Sequence, residues 1–163
     1  MLMDEGSDQR QVEKQHFVEE IALNFEEIGI ARMAGRILGW LLISSSPHQS
    51  ADQLAEALQA SRGSISTMTR MLIQADLVER IGIPGERRDY FRVKPGIWSQ
   101  LLQDKMEQVT YLHQLAERGL ELMEGGAPEL KQRIQDMHDL YSYVEQELPL
   151  LLERWELEHQ KEV

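Results

Sequence analysis

The sequence predicts a mainly α-helical fold with one small β-hairpin, and three observations predict it. Apolar residues recur at three- and four-residue steps through most of the chain, which is the period of an amphipathic helix. Over residues 77–94 alone the pattern becomes short and alternating around Pro84-Gly85, as two strands and a turn require. Two short helical segments joined by a tight connection directly precede that hairpin. Helix, turn, helix and basic hairpin in this order make a winged helix-turn-helix, followed by long C-terminal helices.

The first helix is expected from Asp8 to about Glu27, with Val12, Phe17, Ile21, Phe25 and Ile28 near helical spacing and Gly29 ending it. A second runs from about Ala31 to Ile43. Met33, Ala34, Ile37, Leu38, Leu41 and Leu42 leave it little polar face, so it is expected to be central and buried. Gly35 and Gly39, four apart, let another backbone approach closely. After the turn at Ser44-Ser45-Ser46-Pro47-His48, Ser50 and Gln53 have capping-box spacing, opening a short helix to about Leu58. Gln59-Ala60 is a tight connection. Ser61 is the next cap, and a helix through about Ala75 buries Ile65, Met68, Leu72 and Thr69. Strands are expected at 77–83 and 90–94. Pro95-Gly96 opens a long helix to about Glu124, Gly125-Gly126-Ala127-Pro128 breaks it, and a last helix runs to about Glu158, kinked at Pro149. The expected organisation is an N-terminal helix in 1–30, the winged helix-turn-helix in 31–94 and a helical dimerisation region in 95–163.

Net charge is −11, which taken whole opposes nucleic-acid binding. Its distribution does not: residues 1–60 carry −6, residues 61–94 carry +3 and residues 95–163 carry −8. The one basic island coincides with the second short helix and the hairpin. An acidic protein with such an island can dock on phosphate while its remainder limits non-specific binding.

The helix after Ser61 is the expected recognition helix. Arg62, Ser64, Ser66, Thr67 and Arg70 on it are small, hydroxylic or basic, as suits a helix entering the major groove of double-stranded DNA. Arginine reads guanine edges bidentately, and hydroxyls and helix-end amides meet phosphates. Arg62 and Arg70 are the base-contact candidates. Arg87 and Arg88 at the hairpin tip are expected to reach phosphates or the adjacent minor groove. A winged helix that binds only protein is the alternative, and these arginines argue against it.

The helices beyond residue 94 are acidic on one side and apolar on the other, and a second copy supplies burial for the apolar stripe. Trp98, Leu102, Met106, Val109, Ile134, Tyr141, Leu148 and Trp155 are the expected homodimer residues. Trp40, Trp98, Tyr111 and Tyr141 are the expected ring faces for a small-molecule effector such as a quaternary amine, held by cation–π attraction.

No nucleophile elbow, phosphate loop or zinc-protease helix occurs, so no enzyme is expected. The absence of cysteine excludes disulfides, thiolate zinc sites and iron–sulfur clusters. His16, His48, His113, His138 and His159 include no i, i+4 pair, so no metal site is predicted; only tertiary clustering could build one. No cofactor is predicted. The acidic start is unlike a signal peptide, and the longest apolar stretch, near Ile37–Ile43, is far too short to span a membrane. A cytoplasmic protein without membrane contact is expected.

Three stretches taken in order carry a family resemblance: Ala34-Gly35-Arg36-Ile37-Leu38-Gly39, Ser61-Arg62-Gly63-Ser64-Ile65-Ser66 and Gly85-Glu86-Arg87-Arg88-Asp89-Tyr90-Phe91. Over roughly residues 10–125 the chain resembles the GbsR-type branch of the MarR-like regulators. The resemblance implies a dimeric winged-helix regulator, often a repressor, bound to an inverted repeat. Within the glycine-betaine branch it further implies a response to choline or related compatible solutes.

Overall fold

The computed structural model describes residues 5–159. Residues 1–4 and 160–163, the ends of the expected first and last regions, lie outside the described residues. The elements run α1 (Glu5–Glu27), α2 (Arg32–Ile43), β1 (Gln49–Ser50), α3 (Ala51–Ala57), α4 (Arg62–Gln74), β2 (Val78–Gly82), β3 (Asp89–Val93), α5 (Ile97–Leu122) and α6 (Pro128–His159). They form two compact units, Met1–Ile97 and Trp98–Val163.

In the first unit α2 is the central helix, packed on α1 and on α4. Its Ala34, Ile37 and Leu38 are fully buried. The Gly35/Gly39 pair makes this possible. A Cβ on Gly35 would lie 2.7 Å from Ala22 Cα, and one on Gly39 would lie 3.2 Å from Val18 Cα. The α2 backbone therefore meets the α1 backbone directly at Gly35, and at Gly39 it meets the Val18 backbone and the Ile21 side chain.

That approach corrects part of the expected face of α1. Phe25 is buried and Ile21 lies against Gly39 as expected, but Val12, Phe17 and Ile28 are exposed, and Val18 and Ala22 are buried in their place. A helix lying on two glycines turns a small residue inward, which a stripe of large apolar residues does not include.

Helix ends follow their chemistry. Gln53 N–H donates to Ser50 Oγ (3.3 Å) and Ser50 N–H donates to Gln53 Oε1 (2.8 Å), a complete capping box. Ser64 N–H donates to Ser61 Oγ at 3.1 Å. Thr69, inside α4, satisfies its hydroxyl on Ile65 O at 2.8 Å, which lets it be buried. The C-termini of α1, α3 and α4 all close in Schellman motifs: Ile30 N–H reaches Phe25 O, Ala60 N–H reaches Ala55 O and Leu77 N–H reaches Leu72 O. The left-handed positions fall at Gly29 (φ 89°), Gln59 (φ 50°) and Asp76 (φ 59°).

The sheet has the order β1-β3-β2 and is antiparallel. β2 and β3 are the expected hairpin, with Arg80 opposite Phe91. β1 is a third strand that the sequence did not suggest. Its two residues pair with Phe91 and Tyr90, and His48 packs edge-on against the Tyr90 ring at 5.2 Å. Two residues are too few to show a period.

The second unit is an antiparallel helical hairpin, closed at Gly125 (φ 82°). Ile134 covers Gly119 near the turn, His113 meets His138 in the middle, and Trp98 and Leu102 share a groove with Leu151, Leu152 and Trp155 at the far end. The α6 helix continues through Pro149. Among the described residues no helix is long and apolar enough to cross a membrane.

Gly35→Val is expected to destabilise the protein by about 2 kcal/mol or more, because the displaced neighbour is backbone. Gly82→Val meets nothing within 4 Å on a strand and should leave the melting temperature nearly unchanged. Thermal unfolding of the two variants followed by circular dichroism checks the contrast.

Candidate nucleic-acid interface

The site is built from the outward face of α4. Ile65, Thr69 and Leu72 are buried, and α2 packs on this helix. The opposite face must then look outward. Arg62, Gly63, Ser66, Thr67 and Arg70 are all exposed, and Ser64 is half-buried. Arg62, Ser66 and Arg70 are four apart and form one stripe, with Gly63 and Thr67 beside it. Ser64 contributes its N–H to the Ser61 cap, so only its hydroxyl remains for a ligand.

The second part is the wing. Ile83, Pro84, Gly85 and Glu86 form a turn closed by Glu86 N–H donating to Ile83 O at 3.0 Å. Gly85 has φ 88°, the left-handed conformation that a type II turn needs at its third position. Arg87 and Arg88 follow directly and are exposed.

Ion pairing sorts the basic island. Every carboxylate in residues 61–94 has a cation beside it. Asp76 pairs with Lys94, Glu79 with Arg92 (2.6 Å), Glu86 with Arg88 (3.9 Å) and Asp89 with Arg80 (3.3 Å). Arg62 is drawn to Asp52 at 2.9 Å. Among the described residues Arg70 and Arg87 have no acidic partner, and one stands on α4 and the other in the β2–β3 hairpin. The Arg62–Asp52 pair is well exposed, 80% and 52% for the two side chains. Such a pair is worth at most about 1 kcal/mol, less than a good arginine–guanine contact gains. Arg62 can therefore be recruited at low cost. Sequence reasoning missed these pairs because Asp52 is ten residues away on another helix.

The expected dimer residues are distributed over both helices of the second unit. Trp98, Leu102 and Trp155 are exposed, while Met106, Val109, Ile134, Tyr141 and Leu148 are half-buried. Ile134 is engaged within the hairpin on Gly119. Tyr143, Leu122 and Leu151 are also exposed.

Of the expected effector aromatics, Trp98 and Tyr111 of one chain do not face a common cavity. Trp98 and Tyr111 are thirteen positions apart on α5, about 20 Å along the axis. Trp40 is half-buried on α2 and lines a separate cavity of about 260 Å³ with Glu19, Arg36 and Leu58. Its indole Nε1 is buried without a hydrogen-bond partner. Trp98 instead faces a groove of about 390 Å³ together with Leu102, Leu151, Leu152 and Trp155. The structure also brings together two histidines that sequence spacing did not connect, His113 on α5 and His138 on α6.

Comparison with known proteins places this architecture. Residues 40–90 match the MarR family, and residues 96–159 match the MmpR5-like MarR family transcriptional regulators. The chain is 39% identical over 147 residues to the HTH-type transcriptional regulator MmpR5 of Mycobacterium tuberculosis, covering 89% of each protein. It is 30% identical over 81 residues to the HTH-type transcriptional repressor OpcR of Bacillus subtilis, covering 50% of this chain and 43% of that one. A solved transcriptional regulator superposes with a TM-score of 0.61 at 37% identity, covering 89% of this chain and 99% of the other. The chain belongs to the MarR family of winged-helix transcriptional regulators, among its MmpR5-like members.

Proposed function

We propose that this regulator is a homodimeric repressor that binds an inverted-repeat operator through α4 and the wing. The observation that carries the reading is the pair of unpartnered arginines, Arg70 on the outward face of α4 and Arg87 on the wing. Arg70 and a recruited Arg62 read base edges. Ser64, Ser66 and Thr67 meet bases or backbone, and Arg87 and Arg88 hold phosphate. Repression is supported by the name of the OpcR relative, and a cytoplasmic location follows from the DNA target.

Residues 31–94 act as the DNA-binding part, 95–163 as the dimerisation part, and the N-terminal helix in 1–30 joins the interface. The support is exposed apolar surface. Val12 and Phe17 on α1, and Trp98, Leu102, Leu151 and Trp155 on the hairpin, need a cover that a second copy supplies. Two winged helices then address half-sites about one DNA turn apart.

The motifs that resemble the GbsR-type branch all lie within residues 34–91, so that finer kinship is proposed for the DNA-binding part. An effector such as a quaternary amine would use the ring faces of Trp98 and Trp155 in the α5–α6 groove. It would act by shifting the population of the DNA-competent arrangement. Titration calorimetry with choline and betaine should give heat and altered operator affinity; silence in both measurements removes this effector class.

Selection of bound duplexes from a random pool should enrich an inverted repeat, bound with a steep salt dependence. No enrichment and no affinity at low salt would overturn the reading. On the enriched operator, Arg70→Ala should cost about 1–3 kcal/mol and relax one base position. Replacing Arg87 and Arg88 together should weaken binding on all sequences and flatten the salt slope by about 1 for each phosphate no longer held. Fluorescence anisotropy over a salt series reads both effects.

A further inference from the structure

We propose that His113, Glu117 and His138 form a binding site for a divalent transition-metal ion, with zinc as the reference ion. The three lie on facing helices of the second unit, and one ligand atom from each falls within 4.8 Å of the others. The two imidazole centroids are 5.0 Å apart. Ligands 2.0–2.2 Å from zinc in tetrahedral geometry are separated by about 3.3 Å, so side-chain rotation of about 1 Å closes the site.

The decisive feature is the state of His113. Its Nδ1 is 2.5 Å from Glu145 Oε2, and Glu145 is in turn fixed by the Thr110 hydroxyl, which donates to Oε1 at 2.6 Å. The carboxylate accepts, so Nδ1 carries the hydrogen. In the neutral ring Nε2 is then a bare lone pair. That Nε2 is buried and has no hydrogen-bond partner. Its nearest charged neighbour is Glu117 Oε1 at 3.9 Å, too far for a hydrogen bond. A buried imidazole lone pair left unmatched is costly, and a cation between it and Glu117 satisfies both groups.

His138 repeats the arrangement. Its Nδ1 lies 3.1 Å from Asp139 Oδ1, and Gln135 holds Asp139 at 2.8 Å. Its Nε2 is thereby left for a ligand bond. A histidine oriented by a carboxylate on one nitrogen and offering the other is the usual form of a metal-binding imidazole.

The donor set fixes the class of ion. Two imidazoles and one carboxylate suit zinc, nickel, cobalt or copper and not calcium or magnesium, which take oxygen ligands. Three protein ligands leave one tetrahedral position for water. An ion here ties α5 to α6 at the middle of the hairpin, about three turns from its closed end along α5. The sequence offered one hint, the four-residue step from His113 to Glu117, but the third ligand, His138, is on another helix.

The test uses the untagged full chain, stripped with chelator and titrated with cobalt(II). Ligand-field bands of a nitrogen- and oxygen-bound ion should saturate at one per chain and be displaced by zinc, and zinc should raise the melting temperature. His138→Gln should weaken cobalt binding at least about tenfold. Glu117→Gln, at an exposed position that cannot disturb the core, should weaken it as well. No bands and no thermal shift in molar excess would overturn the site, as would His138→Gln and Glu117→Gln variants that bind as tightly as the parent. The readout is ion binding itself, so a failure of the DNA reading would leave this result standing.

Discussion

The contact on which the first unit depends is the meeting of two backbones at Gly35 and Gly39. Because α1 approaches α2 so closely at the two glycines, α2 is held as a central strut with Ala34, Ile37 and Leu38 fully buried, and it also packs on α4. The position of α4 then decides which residues look outward. Ile65, Thr69 and Leu72 are committed to the core, so at 3.6 residues per turn Arg62, Ser66 and Arg70 have no other direction to face. The proposed recognition surface is thus the reverse side of a packing solution.

Electrostatics refines that surface. A net charge of −11 makes a poor nucleic-acid ligand on average, and much of the local positive charge is already neutralised. Lys94, Arg92, Arg88 and Arg80 each sit beside a carboxylate of the same segment. What remains available is narrow: Arg70 and Arg87, with Arg62 held loosely by Asp52. A small number of free cations in an acidic background favours discrimination over bulk affinity, because every phosphate that a wrong register leaves unmatched is a large share of the total attraction.

Much of this was legible in the sequence where the chemistry is local. Ser50 with Gln53, Ser61, and Pro84-Gly85 each specify a cap or a turn within four residues, and the structure realises them at those positions. The central burial of α2 was legible because a helix with so little polar face has nowhere else to go. Features that depend on a distant partner were not legible. The inward face of α1 is set by glycines on α2, so Ala22 outranks Phe17. The pairing of Arg62 with Asp52 and of His113 with His138 is created by helix packing, with no trace in linear spacing. The spread of the aromatic residues was not legible for the same reason: periodicity put Trp98 and Tyr111 on one helix without saying that they stand about 20 Å apart along it.

The short strand β1 has a mechanical consequence. Ser50 is paired with Tyr90 in the sheet and is also the residue whose side chain and amide close the first turn of α3. One residue is thereby a joint shared by the sheet and the helix. No residue separates Gln49-Ser50 from Ala51, so β3 and the first turn of α3 are coupled through a linkage with no slack. In the proposed DNA complex a load on the wing would act as on a lever whose fulcrum is the start of the helix-turn-helix.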